Sequence, residues 1–587
     1  MPTNHAPGRI LLAIIAVITL GISFGATALA YDDWDIQSFD DSINLQTDGG
    51  LTVTETLVID YSRESHRGPI RSIPIRYKDQ YSQNFNLRFN LVSVTDENGK
   101  PYKYEVSNDG EYVKIKIGSA DTYINSVVTY KITYNVKRAI IAHENKDELY
   151  WNVNGTESLV PHKNVSATVT LPSAIQPNQI ETICFTGQFG ATGKDCTTQV
   201  TGNTVTIKAT RELAAFEGLT FGIQFPSGII NRPSFFEEAT WFLTDNWGYL
   251  IPLIAFAYLF YVWYTRGRDP HTGRETIMPL YTPPDKLTPS EVGTIIDESV
   301  DMRDITATIV DMAVRGYLKI TEKKEKVLFF NNVDYEFEKL KDFENDATLK
   351  QHESQLLKGI FGTASTKKLS SLKNEFYKAL PGIKSNIYQE LVKEGYFPSD
   401  PEAVRNVYYG IGGFTIFALF FFGGVLADIN LSILAGIAMA AILFLIFAKH
   451  MPAKTKKGAE AKWQILGLEE FIKTAETDRL KFQEKENIFE KLLPYAMTLG
   501  IAEKWTNAFK DIVKTPPNWY QSSDPGFNSA FNTMYLLHGL NSMSTTAAST
   551  FTSSPRSSSS GGWSGGSSFG GGGFSGGGFG GGGTSSW

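Results

Sequence analysis

Three stretches of this chain are long, apolar and free of charge, and they fix its class before anything else. Trp247 to Tyr264 contains no Asp, Glu, Lys or Arg and would be about 27 Å long as a helix, enough to span a bilayer. Val407 to Leu426 and Leu431 to Ala448 are two more, and the link Ala427-Asp428-Ile429-Asn430 is so short that they must form a hairpin. Trp247 and Tyr249 mark one end of the first span, and Tyr261, Trp263 and Tyr264 mark the other, as aromatic belts do. Glu237, Glu238 and Asp245 precede that span, while Arg266, Arg268 and Arg274 follow it. The positive-inside bias then predicts residues 31–240 outside and 270–405 in the cytosol. Arg405 precedes the hairpin, and Lys449, Lys454, Lys456 and Lys457 follow it, so residues 450–587 are expected on the cytosolic side too. The spans 247–264, 407–426 and 431–448 hold no Asp, Glu, Lys, Arg or His, which argues against an ion or proton pathway through this chain alone.

Ahead of these lies Ile10 to Phe24, an apolar run after Arg9, followed by Ala28-Leu29-Ala30. A charged start, an apolar centre and an A-x-A site predict a signal peptide over 1–30, cut before Tyr31. An uncleaved anchor is the alternative and leaves the next domain on the same side. The two cysteines, Cys184 and Cys196, both fall in the segment expected outside. That partition suits one disulfide in an oxidising compartment, with two unpaired thiols as the alternative.

Residues 31–240 read as strands. Val128, Tyr130, Ile132, Tyr134 and Val136 alternate with polar neighbours, the period of a half-buried strand. Asp48-Gly49, Asn98-Gly99 and Asp109-Gly110 are hairpin turn signals. A β-sandwich-like domain, or a pair of them, is expected. Residues 270–405 change character. Thr288-Pro289-Ser290-Glu291 is a capping box with proline at the first helical position. A second helix from about Arg303 follows, and Gly316 can cap it. Strand-like Tyr317 to Thr321 and Lys326 to Phe330, joined by Glu322-Lys323-Lys324-Glu325, complete a winged-helix-like α+β outline. Residues 450–525 are expected as a helical segment, with Ala459 to Phe482 amphipathic. Residues 541–587 are Ser, Thr and Gly with one charge, Arg556, and are expected to be a disordered tail. Phe569, Phe574 and Phe579 recur in it every five residues, which fits either a weak adhesive or a solvated tail.

No catalytic constellation emerges. Gly562 to Gly566 and Gly573 to Gly577 match G-x-S-x-G, but neither lies between a strand and a helix, as the nucleophile elbow requires. His143 has carboxylates nearby, but no H-E-x-x-H or paired-ligand spacing appears, so no metal or cofactor is expected. The net charge of −7 and the balanced charges of 270–405 give no basic footprint for nucleic acid. The expected partners are the lipid bilayer and proteins on either face. The chemistry left is non-catalytic: an envelope binding, scaffold or signalling protein, with an accessory subunit of a transport complex, or an outer-face hydrolase, as alternatives.

Several motifs, in order, resemble the bacterial predicted membrane protein family known as domain of unknown function (DUF) 2207. His66-Arg67-Gly68-Pro69-Ile70-Arg71-Ser72-Ile73-Pro74 is similar to its "H-G-I-x-R-x-I-P" stretch, and Glu148-Leu149-Tyr150-Trp151-Asn152-Val153-Asn154-Gly155 to its "E-L-Y-W-N-V-x-G". Gly267-Arg268-Asp269-Pro270, Arg315-Gly316-Tyr317, Leu493-Pro494-Tyr495-Ala496 and the Phe/Gly tail ending in Trp587 continue the resemblance. It implies the same architecture and topology, and no activity. We expect structural roles for these positions: a core aromatic at Trp151, a turn at Gly68-Pro69, and a helix start or kink at Leu493 to Ala496.

Overall fold

The computed structural model describes residues 34–587 apart from 274–275, 328–329, 475–486, 524–526, 528–530 and 555–573. The expected signal peptide and part of the Ala459–Phe482 helix lie outside the described residues. The chain forms two compact units.

The first is β-rich with several sheets. Its largest has seven strands, in the order Cys196–Thr201, Thr204–Ala209, Val165–Thr170, Asp35–Leu45, Leu51–Asp60, Val127–Lys137 and Arg88–Thr95. All neighbours are antiparallel except Asp35–Leu45 with Val165–Thr170. The period-two pattern explains the burial. Leu51, Val53, Glu55, Leu57 and Ile59 point inward from one strand, as do Tyr130, Ile132, Tyr134 and Val136 from the next. Each such aliphatic side chain stabilises the fold by about 1.5–3 kcal/mol. A second sheet contains Ile140–Ala142, Lys146–Asn152, Gly218–Pro226 and Glu181–Gly187, and a third contains Pro69–Pro74, Tyr112–Ile117 and Tyr104–Asn108. Asp48-Gly49 closes the hairpin between the first two strands, with Gly49 at φ +77°. Cys184 and Cys196 are joined by a disulfide 12 residues apart in sequence, a loop closure of about 3 kcal/mol in the chain-entropy model.

The second unit is helical around one core. Leu287, Ile305, Leu356, Ile387, Ile465, Leu493, Trp505 and Leu540 belong to a single buried cluster. Residues 270–405 and 450–525 are therefore not separate bodies: the segments flanking the hairpin close one core. The capping box at Thr288 is present, Thr288 accepting from the Glu291 amide, and starts helix Pro289–Asp297. Helix Met302–Val314 follows, and Gly316 at φ +78° ends it. The hairpin after it differs from expectation. Strand Leu318–Val327 runs straight through Glu322 to Glu325 and pairs with Phe330–Lys339. The ladder carries the chain through them, with Lys323 2.7 Å from Glu336 across the pair and strand Tyr520–Ser522 added in parallel at Ile320 to Glu322. Among the described residues, three helices are long and apolar enough to cross a membrane: Trp247–Gly267, Pro401–Asp428 and Asn430–Ala448. The last two meet at Asn430, whose backbone is extended (φ −162°, ψ 109°).

The expectation of a disordered tail over 541–587 needs correction at both ends. Thr533–Thr552 is a helix whose Leu536, Leu540, Met543 and Phe551 are buried in the helical core. Residues 574–587 lie in the β-rich unit, with Phe579–Gly580 and Gly583–Ser586 as strands. A composition too poor in apolar side chains to build a core can still complete one built by another segment, provided its backbone is paired.

Candidate functional site

The C-terminal strand lies in a groove made by the two motif stretches of the β-rich unit. Trp151 and Asn152 pair in parallel with Phe579 and Gly580. Pro69 to Ser72 pair antiparallel with Gly583 to Ser586. The strand thus extends two sheets in succession, the β-augmentation used in peptide recognition, and covers edges that would otherwise expose unpaired backbone.

Between the two pairings Gly580, Gly581 and Gly582 have φ of +69°, +73° and +94°, left-handed backbone that costs a non-glycine residue about 1–2 kcal/mol each. Space forbids side chains as well. A Cβ on Gly580 would overlap the Trp151 indole, one on Gly581 would sit 2.6 Å from Asn152 Cβ, and one on Gly582 would overlap the Ser72 carbonyl and press on Pro74.

Side chains of the groove read the strand's backbone. The Tyr150 hydroxyl donates to the Phe574 carbonyl at 2.6 Å and accepts from the Phe574 amide at 3.0 Å. Asn152 donates to the Gly578 carbonyl at 2.6 Å and accepts from its amide at 3.2 Å. Gly576 N–H donates to Thr220 Oγ1, and Gly580 N–H to the Tyr77 hydroxyl. Such bonds contribute about 0.5–1.5 kcal/mol each. Two aromatic anchors add specificity. The Phe579 ring packs edge-on to Tyr77 at 4.8 Å and stacks on Phe85 at 5.8 Å. At the end of the chain, Trp587 N–H donates to the Gly68 carbonyl, and the Arg67 amide donates to the Trp587 carbonyl. The Trp587 indole donates to the Ile117 carbonyl and lies under Lys116 Nζ at 3.6 Å. Ser586 Oγ is 2.9 Å from His66 Nδ1.

Beneath the strand is a buried charge network. Arg71 donates to both oxygens of Glu55, at 2.7 and 2.9 Å, and to the Gly583 carbonyl at 3.1 Å. The Tyr134 hydroxyl also donates to Glu55, at 2.9 Å. Arg71 and Glu55 are both fully buried. Burial, and then the Glu55 charge, push the Asp41 carboxyl well above its usual range. Burial, and then the Arg71 charge, push His162 down to about 3, so its imidazole is neutral.

His66, Gly68, Arg71, Pro74, Tyr150, Trp151 and Asn152, scattered in sequence, converge on this groove. Trp151 is a fully buried aromatic, and it floors the groove. Gly68-Pro69 is not a turn. Pro69 opens strand Pro69–Pro74, and Gly68 (φ +141°) lets the chain pass directly against the Ile117 carbonyl, where a Cβ would not fit. Of the other outer candidates, His143 is exposed and lies 2.8 Å from Glu148, and Cys184–Cys196 ties strand Glu181–Gly187 to strand Cys196–Thr201.

The remaining motif positions lie in the helical unit. Gly267 passes close to the His450 and Met451 carbonyls. Arg268 contacts His271, Pro270 is exposed, and Asp269 accepts from the Lys454 amide at 2.8 Å. Arg315 pairs with Glu353 and with Asp311, whose carboxyl burial pushes up to about 6. Tyr317 donates to Asp346 at 2.6 Å. Leu493 and Ala496 are buried, and the Tyr495 hydroxyl donates to the Leu287 carbonyl at 2.8 Å. Pro494 lies inside helix Ile488–Thr498, so that motif does not start the helix, which begins earlier, after Asn487. Glu291, His352 and Glu390 come within metal-ligand reach of one another. However, Lys350 Nζ donates to both oxygens of Glu291, at 2.6 and 2.8 Å, and His352 already pairs with Glu390. We read this cluster as an ion-pair network.

Family profiles described as "Predicted membrane protein (DUF2207) N-terminal domain" and "C-terminal domain" match residues 35–225 and 278–509. No curated protein matches. Among solved structures, native leukotriene A4 hydrolase from Saccharomyces cerevisiae is 9% identical with a TM-score of 0.21, covering 33% of this chain and 30% of that one. An M1 zinc metallopeptidase from Deinococcus radiodurans is 11% identical with a TM-score of 0.20, over 32% and 42%. A putative protease from Parabacteroides distasonis is 8% identical with a TM-score of 0.20, over 50% and 52%. The chain spans about half or less of each of these proteins, and likenesses this weak carry no argument about it.

Proposed function

The chain belongs to the DUF2207 family of predicted membrane proteins, and we propose that its β-rich unit is a non-catalytic receptor for a glycine-rich strand that closes on a tryptophan. The observation that carries this reading is the fit of residues 574–587: three left-handed glycines lie against Trp151, Asn152 and Ser72, where no side chain fits. Binding in this mode takes its affinity from main-chain hydrogen bonds and its selectivity from pockets for particular side chains, here Phe579 and Trp587. The receptor unit faces outward, the helical unit inward, and the three spans tie them to one bilayer, as the charge bias of the flanks supports. The helical unit, with its large single core, is then a platform for protein partners on the inner face.

The test uses the full chain truncated after residue 573, in detergent micelles, with a fluorescent synthetic peptide of residues 574–587. Saturable one-to-one binding that unlabelled peptide displaces is expected. Binding no better than that of a scrambled peptide would overturn the reading.

A further inference from the structure

The groove and the strand that fills it belong to one chain, yet three candidate spans separate them in sequence: Trp247–Gly267, Pro401–Asp428 and Asn430–Ala448. An odd number of crossings puts residues 34–246 and residues 574–587 on opposite sides of the bilayer. The segment between Ser553 and Phe574 is Ser, Gly, Phe and Trp with one Pro and one Arg, and it cannot thread back through lipid. An extended chain in hydrocarbon leaves each backbone N–H and C=O unpaired, at several kcal/mol per group. The seated strand therefore shows what the groove fits, and the bilayer decides which polypeptide supplies it.

Resting on the receptor reading above, we propose that in the membrane the groove takes a glycine-rich strand of a different, exported polypeptide, while this chain's own residues 574–587 stay on the other side. The ligand class follows from the contacts. It is a segment with a phenylalanine, then at least three glycines able to take positive φ, then a short strand closing on a tryptophan. Nothing in the recognition depends on the rest of this chain. Asn152 and Tyr150 bind main-chain atoms, Trp151 and Ser72 demand glycine, and Lys116 covers an indole. A segment of another protein, of the same length as residues 574–587, would satisfy the same set.

The experiment uses right-side-out spheroplasts carrying either the full chain or the chain ending at residue 573, with the fluorescent 574–587 peptide added outside. In parallel, a Gly577→Cys full chain is probed with a membrane-impermeant maleimide before and after permeabilisation; Gly577 is exposed even when the strand is seated. We expect the full and truncated chains to bind added peptide equally, with the introduced thiol labelled only after permeabilisation. If the full chain binds at least ten-fold less peptide than the truncated one and the introduced thiol is labelled in intact spheroplasts, the strand is supplied in cis and this inference is overturned, while the receptor reading stands. If neither chain binds peptide in spheroplasts although the truncated chain binds it in detergent, the groove does not face outward and the inference also fails. Absence of binding in detergent would instead overturn the receptor reading itself.

Discussion

Replacing Gly580 of the peptide with alanine should nearly abolish binding to the chain truncated after residue 573. Two costs add. Gly580 has φ +69°, and left-handed backbone costs a residue with a Cβ about 1–2 kcal/mol. The new methyl would also overlap the buried Trp151 indole, and forcing an extra carbon into a packed site costs about 1–3 kcal/mol. Together these make about 2–5 kcal/mol, or roughly 30- to several-thousand-fold in Kd. Gly577→Ala is the matched control. Gly577 is exposed, and its nearest neighbours belong to Phe574 of the strand itself, so a change within about two- to three-fold is expected. Fluorescence polarisation against the truncated chain in micelles reads both. A Gly580→Ala peptide that binds within about three-fold of the parent would refute the argument that the glycines are required by geometry.

Three further outcomes rest on the same contacts. A Trp587→Ala peptide loses the Lys116 contact, worth about 0.5–2 kcal/mol, and an indole hydrogen bond, worth about 0.5–1.5 kcal/mol; titration should show binding about 5- to 400-fold weaker. Arg71→Ala leaves Glu55 buried without its cation and should destabilise the β-rich unit by about 3–5 kcal/mol, whereas the paired Arg71→Met, Glu55→Leu variant should recover most of that; thermal unfolding compares the two. His162, held near 3 against an ordinary 6.5 by burial first and Arg71 second, stays neutral when folded but takes a proton when unfolded below about pH 6.5. Its contribution is therefore complete above about pH 6.5 and is lost as pH falls toward 3, by at most about 5 kcal/mol, and a His162→Gln variant should show a flatter fall in denaturation midpoint over that window.

Much of the architecture was legible because it is written in local patterns. Charge-free stretches of span length marked the helices long and apolar enough to cross a membrane, alternation in Val128 to Val136 marked a core strand, and Thr288 to Glu291 marked a helix start. The site was not legible, and the reason is physical. Recognition here is a relation between distant segments, Pro69–Pro74, Lys146–Asn152 and 574–587, in which glycine matters for what it leaves out. A glycine-rich segment has no periodicity to read, so composition alone points to a solvated tail. The usable signal was the unbroken run Gly580 to Gly583 between an isolated Phe579 and a terminal Trp587. Likewise Glu322 to Glu325 suggested a turn because four charges in a row resemble a loop, whereas the strand ladder continues through them, with Lys323 paired across it to Glu336. Pro494 suggested a helix boundary, and the surrounding core at Leu492, Leu493 and Ala496 holds the helix through it at the loss of one backbone bond.

The most direct measurement is amide hydrogen exchange across residues 574–587 in the full chain in detergent micelles, where no bilayer separates strand from groove. Seated as described, the amides of Gly576, Gly578 and Gly580 are bonded to Thr220, Asn152 and Tyr77. They should exchange at least about 100-fold slower than in the free peptide, with the protection lost in an Asn152→Ala, Tyr150→Phe chain that remains folded. Exchange of the whole stretch at free-peptide rates would contradict the groove, and with it the assignment of this unit as a receptor for a glycine-rich end.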